Sequence, residues 1–335
     1  MQQPTLVPPT FDDVRAALVR IGALVVRTPV LRSQALDAAT GGTILLKPEC
    51  LQRTGSFKFR GAINATQRLN AAQRARGVVA PSSGNHGQAI ACAAQSLGMP
   101  CTIVMPADAP AIKIDSTRAW GATIILYDRA TDDRLAIAQG VVDRTGATLI
   151  PPFEHPDVIA GQGTLALELV ADAGLMLDAL LVCTGGGGMV AGCALAIEGA
   201  SPTTQVYAVE PEGSDDTARS LMSGQRERNA PGGSLLCDSL LTEQPGVLTF
   251  SINQPRLAGG LVVSDAEVLA AMRFAFQHLK LVVEPGGAVA LAALLSGRFD
   301  ARGRVVGAVL SGGNVDAGVF AQALSGVERK PATHS

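Results

Sequence analysis

The chain has 335 residues, of which 47% are hydrophobic and 17% are charged, and this balance excludes a mainly disordered protein. A formal net charge of −2, one Trp and two Tyr argue against nucleic-acid binding, which needs a basic field and often stacking aromatics. No apolar run reaches the roughly 20 residues that cross a bilayer, and we expect no secretory signal. The six cysteines have no zinc-ligand spacing, so we expect free thiols in a reducing, cytoplasmic environment.

Short apolar runs alternate with helix-like segments along most of the chain. A first helix is predicted after Thr10, which can cap it, with Asp12 and Asp13 in the first turn. Strands are predicted at Ile44–Lys47, Gly77–Ala80, Cys101–Met105, Ala122–Tyr127, Ala179–Thr184, Gln205–Glu210, Gly260–Ser264 and Val305–Leu310. Further helices are predicted at Gly61–Arg76, His86–Leu97, Ile112–Ala119, Thr131–Thr145, Asp157–Ala173, Met189–Glu198, Asp265–His278 and Ala288–Leu295. Apolar strands that alternate with helices predict an α/β fold with a mostly parallel sheet covered on both faces.

Lys58 lies where a loop leaves a buried strand and enters a predicted helix, with Thr54 and Ser56 as candidate helix caps. The positive end of this helix and the nearby Arg60 would lower the pKa of the lysine amine. A neutral amine is what a nucleophile needs to form a Schiff base. A solvated surface lysine is the commoner case, so this segment alone does not decide its role.

Two loops lie between a strand and a helix, where anions are commonly bound. Ser82, Ser83 and Asn85 in the loop Pro81–Gly87 could hold a carboxylate beside a helix start, although an ordinary capped turn would look the same. The loop Thr184–Gly188 has four consecutive glycines whose unobstructed amides favour a phosphate. It is not a nucleotide P-loop, because no Gly-Lys-Ser/Thr follows the glycines.

Two further strand ends carry polar groups. The acidic turn Glu210–Asp216 could supply hard oxygen ligands to a divalent cation, although a solvated acidic turn is commoner. Ser311 ends the last predicted strand and offers a hydroxyl group. A reactive lysine, a phosphate loop and a partner for a ring nitrogen are together what pyridoxal 5′-phosphate (PLP) requires.

With these sites combined, the chain resembles the fold type II PLP-dependent enzymes, in particular the short threonine/serine dehydratases and the serine racemases. The resemblance spans roughly residues 10–325 and rests on the segments Gly55–Ala62, Ser82–Ala89, Val158–Thr164, Gly185–Gly188 and Ser311–Asp316. It implies two open, mostly parallel twisted sheets flanked by helices. It also implies a large PLP-binding domain of residues 1–50 and 150–335, a small mobile domain of residues 51–149, and a homodimer.

The resemblance also implies roles for individual residues. Lys58 would bind the cofactor aldehyde and remove the substrate α-proton, and Ser83 would act on the opposite face in a racemase. Cofactor-binding residues would be Phe57 at the ring, Asn85 at the 3′-oxygen, Gly185, Gly186, Gly187, Gly188 and Met189 at the phosphate, and Ser311 at the pyridine nitrogen. The substrate would contact Ser82, Ser83, Gly84, Asn85, His86 and, as a distal partner, Arg134. Mg²⁺ or a similar cation would be bound by Glu210, the Ser214 carbonyl and Asp216.

The predicted reaction is PLP-dependent β-elimination, in which L-threonine or L-serine is dehydrated and deaminated to a 2-oxo acid and ammonia. The alternatives are a serine racemase and a dehydratase for a larger substrate: phenylserine, or 3-hydroxyaspartate with its second carboxylate on Arg134. Phe153 and the segment Leu235–Thr242 could shape the side-chain pocket. A β-replacement enzyme of the cysteine-synthase type is less expected, because its loop has Thr-Ser-Gly-Asn-Thr where this chain has Ser-Ser-Gly-Asn-His. A nucleotide-dependent oxidoreductase would explain neither Lys58 nor Ser311, and an inactive binding protein would not need the lysine.

Overall fold

The structure is a computed structural model that describes residues 6–82, 84–109, 111–230 and 234–326, without the side chains of residues 111–113. Its strands, in chain order, are β1 (Thr43–Pro48), β2 (Val78–Pro81), β3 (Cys101–Pro106), β4 (Thr123–Tyr127), β5 (Thr148–Leu149), β6 (Ala179–Cys183), β7 (Gln205–Pro211), β8 (Leu257–Val263) and β9 (Val305–Leu310). They form a large sheet in the order β1-β9-β6-β7-β8 and a small sheet in the order β4-β3-β2-β5. All pairings within the two sheets are parallel.

Helices cover both sheets. They are α1 (Phe11–Ile21), α2 (Gln34–Thr40), α3 (Lys58–Gln67), α4 (Ala71–Arg76), α5 (Asn85–Ser96), α6 (Ala111–Ala119), α7 (Arg134–Thr145), α8 (Pro156–Asp172), α9 (Gly188–Ala200), α10 (Asp216–Ser223), α11 (Val247–Asn253), α12 (Asp265–Phe274), α13 (Pro285–Leu295) and α14 (Ala317–Ser325). Single turns of 3₁₀ or π type occur at Glu49–Leu51, Arg53–Gly55, Asp238–Leu240 and Ala275–Leu279. No helix in the described part of the chain is long and apolar enough to cross a membrane.

The predicted α/β fold with two parallel sheets is confirmed, and each predicted strand is present to within a few residues. Thr10 caps the first helix as predicted, in a capping box with Asp13. The predicted helix Gly61–Arg76 is two helices, because Asn70 and Gln73 form a second capping box that starts α4. Sequence patterns missed β5, which has two residues, and the helices α2, α10, α11 and α14.

Neither Thr54 nor Ser56 caps the helix of Lys58, contrary to prediction. The N-cap is Phe57, which makes no side-chain cap hydrogen bond. The hydroxyls of Thr54 and Ser56 are buried without a hydrogen-bond partner among the described residues. Backbone bonds hold the loop instead, since Phe57 N donates to Ser311 O (3.0 Å), and Ser56 pairs with the residue after Ser311. The start of α3 is therefore fixed to the end of β9.

A buried ion cluster joins α3 to the large sheet and to α8. Arg60 binds both oxygens of Glu49 (2.7 and 2.9 Å) and both oxygens of Glu168 (2.8 Å each). Lys47 Nζ donates to Glu168 Oε2 and to the Thr28 carbonyl, both at 2.7 Å. All four charged side chains are at most 2% exposed, and their two positive and two negative charges balance. Removal of one member of such a cluster lowers the free energy of unfolding, because the charge left unpaired cannot be solvated inside the protein.

We predict that Arg60→Met lowers the free energy of unfolding by about 3–5 kcal/mol, because it leaves two buried carboxylates with one cation. Urea denaturation followed by circular dichroism measures this loss. The matched control is Arg302→Met, which breaks an exposed ion pair with Asp300 and should leave the free energy near that of the wild type. Equal effects of the two substitutions would contradict the structural role of the cluster.

Candidate active site

A cavity of about 210 Å³ lies at the carboxyl ends of strands from both sheets. Its wall includes Lys58 beyond β1, Ser82 after β2, Thr184 after β6 and Ser311 after β9. Parallel strands bring their carboxyl ends to one edge, which is why ligands collect there in open α/β sheets. The sheets therefore place four loops from distant parts of the chain around one space.

The lysine amine lies in this cavity among protein atoms. Lys58 Nζ donates a hydrogen bond to the Pro152 carbonyl (3.1 Å) and lies 5.0 Å from the centre of the Phe57 ring. Burial lowers the pKa of Lys58 to about 8, and the negative charge of Glu284 partly opposes this change. A much larger share of this amine is thus neutral near physiological pH than for a lysine with the ordinary pKa of 10.5.

The predicted direction of this pKa shift is confirmed, but Arg60, one of the two predicted causes, does not contribute to it. Arg60 was expected to lower the pKa of Lys58 by charge repulsion. Its guanidinium is turned into the buried ion cluster, where Glu49 and Glu168 neutralise it. Loss of water around the amine, which a one-dimensional sequence does not display, is the main cause.

Asn85 is held by Glu284 and Asn314, neither of which the sequence analysis placed in a site. Its Nδ2 donates to Glu284 Oε1 (2.6 Å), and its Oδ1 accepts from Asn314 Nδ2 (2.8 Å). Asn314 also donates to the Thr54 carbonyl (2.7 Å), so the orientations of both amides are set by acceptor groups. One Nδ2 hydrogen of Asn85 remains for a ligand. Glu284 precedes Pro285-Gly-Gly at a helix start, and Asn314 lies in the quoted segment Ser311–Asp316, so both signals were present in the sequence.

The glycine loop between β6 and α9 has no room for side chains. A Cβ on Gly186 would collide with the ring of Phe153, and one on Gly188 would crowd the backbone and Cβ of Phe153. Gly187 has a left-handed φ of +87°, which favours glycine. Bare backbone amides beside the start of α9 fit a phosphate group, as the cofactor requires.

The loop predicted to bind the substrate leads into α5 beside the same cavity. His86 is 3% exposed, and its Nε2 lies 2.8 Å from the Ile150 carbonyl. Because a carbonyl only accepts, Nε2 carries the proton. Burial and the charge of Lys58 lower the pKa of His86 to about 3, so the imidazole is neutral. Arg134 is exposed at the start of α7 and lines the same cavity.

Every described residue of the predicted catalytic, cofactor and substrate sets lines this one cavity: Phe57, Lys58, Ser82, Gly84, Asn85, His86, Arg134, Gly185, Gly186, Gly187, Gly188, Met189 and Ser311. Ser83 lies outside the described residues. Phe153 also lines the cavity, as do Leu240, Leu241 and Thr242 from the predicted pocket segment.

The predicted metal ligands Glu210, Ser214 and Asp216 lie at the end of β7 and just after it, and they do not line the cavity. Glu210 accepts hydrogen bonds from Thr217 N (3.0 Å) and Ala218 N (2.8 Å). Asp216 Oδ1 accepts from Asn229, while its Oδ2 is buried without a partner among the described residues. Burial and the neighbouring Asp216 raise the pKa of Glu210 well above its usual value. No group of three His, Cys, Asp or Glu side chains suited to a metal occurs in the described part of the chain.

Three features of the cavity together indicate a PLP-dependent enzyme of the two-sheet α/β class. They are a buried lysine of lowered pKa, a glycine loop that fits a phosphate and a hydroxyl at a third strand end. The chain matches the pyridoxal-phosphate-dependent enzyme family over residues 21–312 and belongs to it. The predicted family and the predicted ammonia-lyase type of enzyme are confirmed.

Individual relatives have three different names. The chain is 49% identical to an L-threo-3-hydroxyaspartate ammonia-lyase of Pseudomonas sp., covering 95% of this chain and 99% of the relative. It is 40% identical to an L-threonine ammonia-lyase of Thermotoga maritima, with 92% and 76% covered. The solved serine racemase of maize superposes with a TM-score of 0.90 at 37% identity, with 95% and 98% covered.

We predict that apoenzyme captures PLP covalently at a rate that rises as pH passes through about 8, because the reactive neutral amine of Lys58 replaces the protonated form there. Stopped-flow absorbance measures this rate. Glu284→Gln should move the midpoint to lower pH, since the carboxylate raises the pKa of the amine. Lys58→Ala should give no borohydride-fixed cofactor. A midpoint near 10.5, the ordinary value of a lysine, would contradict the prediction.

Proposed function

We propose that this enzyme eliminates water from a β-hydroxy amino acid with a second carboxylate, of the 3-hydroxyaspartate class, and yields a 2-oxo acid and ammonia. Dehydration and final hydrolysis release and consume one water, so the net change is deamination. The observation that carries the proposal is Arg134, which lines the cavity and makes no ion pair with any described residue. The 49% identical relative of that name supports the same substrate class.

The residues around the cavity have separable tasks in this reaction. The substrate α-carboxylate would lie on the loop Ser82–His86 at the start of α5, where amides and the helix dipole favour an anion. Neutral Lys58 would take the α-proton, and the Pro152 carbonyl orients its amine. Bound PLP supplies an electron-withdrawing ring that stabilises the charge left on the α-carbon. Ser311, as the neutral partner we assign to the ring nitrogen, would limit that stabilisation and favour elimination over transamination.

Substitution of Arg134 tests the proposed substrate class. Arg134→Leu should lower kcat/KM for L-threo-3-hydroxyaspartate by about 10- to 100-fold, the worth of a hydrogen bond to a charged group, and leave L-threonine and L-serine within about threefold. Arg129→Leu is the matched control, because this nearby arginine pairs with Asp108. Wild type and both variants are assayed with the three amino acids for 2-oxo acid and for D-enantiomer in parallel. Equal losses for all substrates, or a wild-type preference for threonine, would reject the proposed class.

We also propose a divalent cation at Glu210, the Ser214 carbonyl and Asp216. The donor set fits a hard cation, since two buried carboxylates lie close together and one oxygen has no partner among the described residues. The cation would stabilise the turn between β7 and α10.

Mg²⁺ should therefore raise the melting temperature, and EDTA should reverse the increase, because the cation binds only the folded site. Asp216→Asn should remove the Mg²⁺ response. Asp215→Asn, which alters the neighbouring carboxylate paired with Arg219, should keep it. Calorimetry with and without an excess of EDTA measures the change, and an unresponsive wild type would count against the cation.

We also propose a mobile small domain, a homodimer and a cytoplasmic location. Residues 51–149 would move as a small domain, and a comparison of crystal structures with and without substrate tests this motion.

The exposed apolar side chains Leu51, Phe276 and Val282 support a homodimer, for which light scattering should give twice 34.3 kDa. All six cysteines are free, which supports a cytoplasmic enzyme, and thiol titration of unfolded protein as isolated from the cell should count six.

A further inference from the structure

The glycine loop has no side chains that could fix its orientation. Two side chains of α11 hold it through hydrogen bonds to its carbonyl groups. Thr249 Oγ1 donates a hydrogen bond to the Gly186 carbonyl (2.7 Å). One helical turn later, Asn253 Nδ2 donates to the Gly187 carbonyl (3.3 Å), which also accepts from Ala191 N in α9. Thr249 is fully buried, and Asn253 is 1% exposed. The Gly186 carbonyl therefore depends on Thr249, whereas the Gly187 carbonyl has a second donor.

The direction of the Gly186 carbonyl also determines the direction of the Gly187 N–H. The C=O and N–H of a trans peptide point in opposite directions, so a Gly186 carbonyl turned toward α11 turns the Gly187 N–H away from α11. The four glycines also line the cavity. Thr249 thus controls one of the N–H groups available to a phosphate.

Glu154 fixes α11 in turn. Its Oε2 accepts from Leu248 N (3.0 Å), and its Oε1 accepts from Thr249 N (3.1 Å), which satisfies two free amides at the helix start. Gly246, the N-cap, has no room for a Cβ because Glu154 occupies that space. The residue before Glu154 is Phe153, whose ring lies against the glycine loop. The same short segment therefore packs on the loop and anchors the helix that holds the loop.

We propose that Thr249, oriented by Glu154, is a positioning residue that aims the Gly187 N–H at the cofactor phosphate. The inference rests on the proposed placement of the phosphate on Gly185–Gly188. Thr249 does not line the cavity that contains Lys58, so we assign its effect to cofactor retention.

The test compares PLP with pyridoxal, which lacks the phosphate, in absorbance titrations of apoenzyme. Thr249→Val removes the hydroxyl at nearly constant volume and should weaken PLP by about 5- to 30-fold, the effect of 1–2 kcal/mol, while changing pyridoxal by less than about twofold. Thr249→Ser keeps the hydroxyl and should restore PLP affinity. The matched control is Thr204→Val, which removes another buried hydroxyl bonded to a backbone carbonyl (2.7 Å), on Leu177 far from the glycine loop.

Two outcomes would overturn the inference, and they differ in meaning. If Thr249→Val weakens PLP and pyridoxal equally, or weakens neither, Thr249 has no phosphate-specific role. If the wild type binds pyridoxal as tightly as PLP, the phosphate placement fails and the inference fails with it. Glu154→Gln, which keeps only one acceptor oxygen, gives an independent check should Thr249→Val fold poorly. An unchanged preference for PLP in that variant would remove Glu154 from the proposal.

Discussion

The geometry of the active site depends on how α3 is held. This helix carries Lys58 at its first residue, and two residues later Arg60 enters the buried ion cluster with Glu49 and Glu168. The partners come from the end of β1 and from α8, so the cluster ties three elements together at one point. Since every member is paired, the helix has one satisfactory position, and Lys58 takes its place beside Ser311 and Pro152 as a result.

Exclusion of water from the cavity wall determines the protonation states of two residues there. The amine of Lys58 and the imidazole of His86 are both shifted toward their neutral forms by burial. For the lysine, a neutral amine is the form that the proposed roles of nucleophile and base require. For the histidine, it means a fixed tautomer that binds the Ile150 carbonyl and adds no positive charge to the start of α5. One physical cause thus prepares two residues for different tasks.

Sequence patterns predicted the strands well because buried parallel strands are apolar throughout, and no described strand of more than two residues was missed. The cavity-lining residues were identifiable because reactive groups at strand ends meet at one sheet edge. The cause of the pKa shift of Lys58 was not identifiable from the sequence. The direction in which Arg60 points depends on α8, which lies more than 100 residues away in the chain. The same limit applies to the contacts that Glu284, Asn314 and Thr249 make, since these partners lie 63 to 260 residues away in the chain.

Burial has a further consequence for the cysteines. It raises the pKa of Cys50 and of Cys101 to about 12, and it raises the pKa of Cys193 and Cys237 still further. Oxidants and alkylating agents attack the thiolate, which is scarce at these positions in the folded enzyme. The reactivity of these thiols therefore records how often the protein opens, and their slow oxidation would measure local unfolding in an ageing sample.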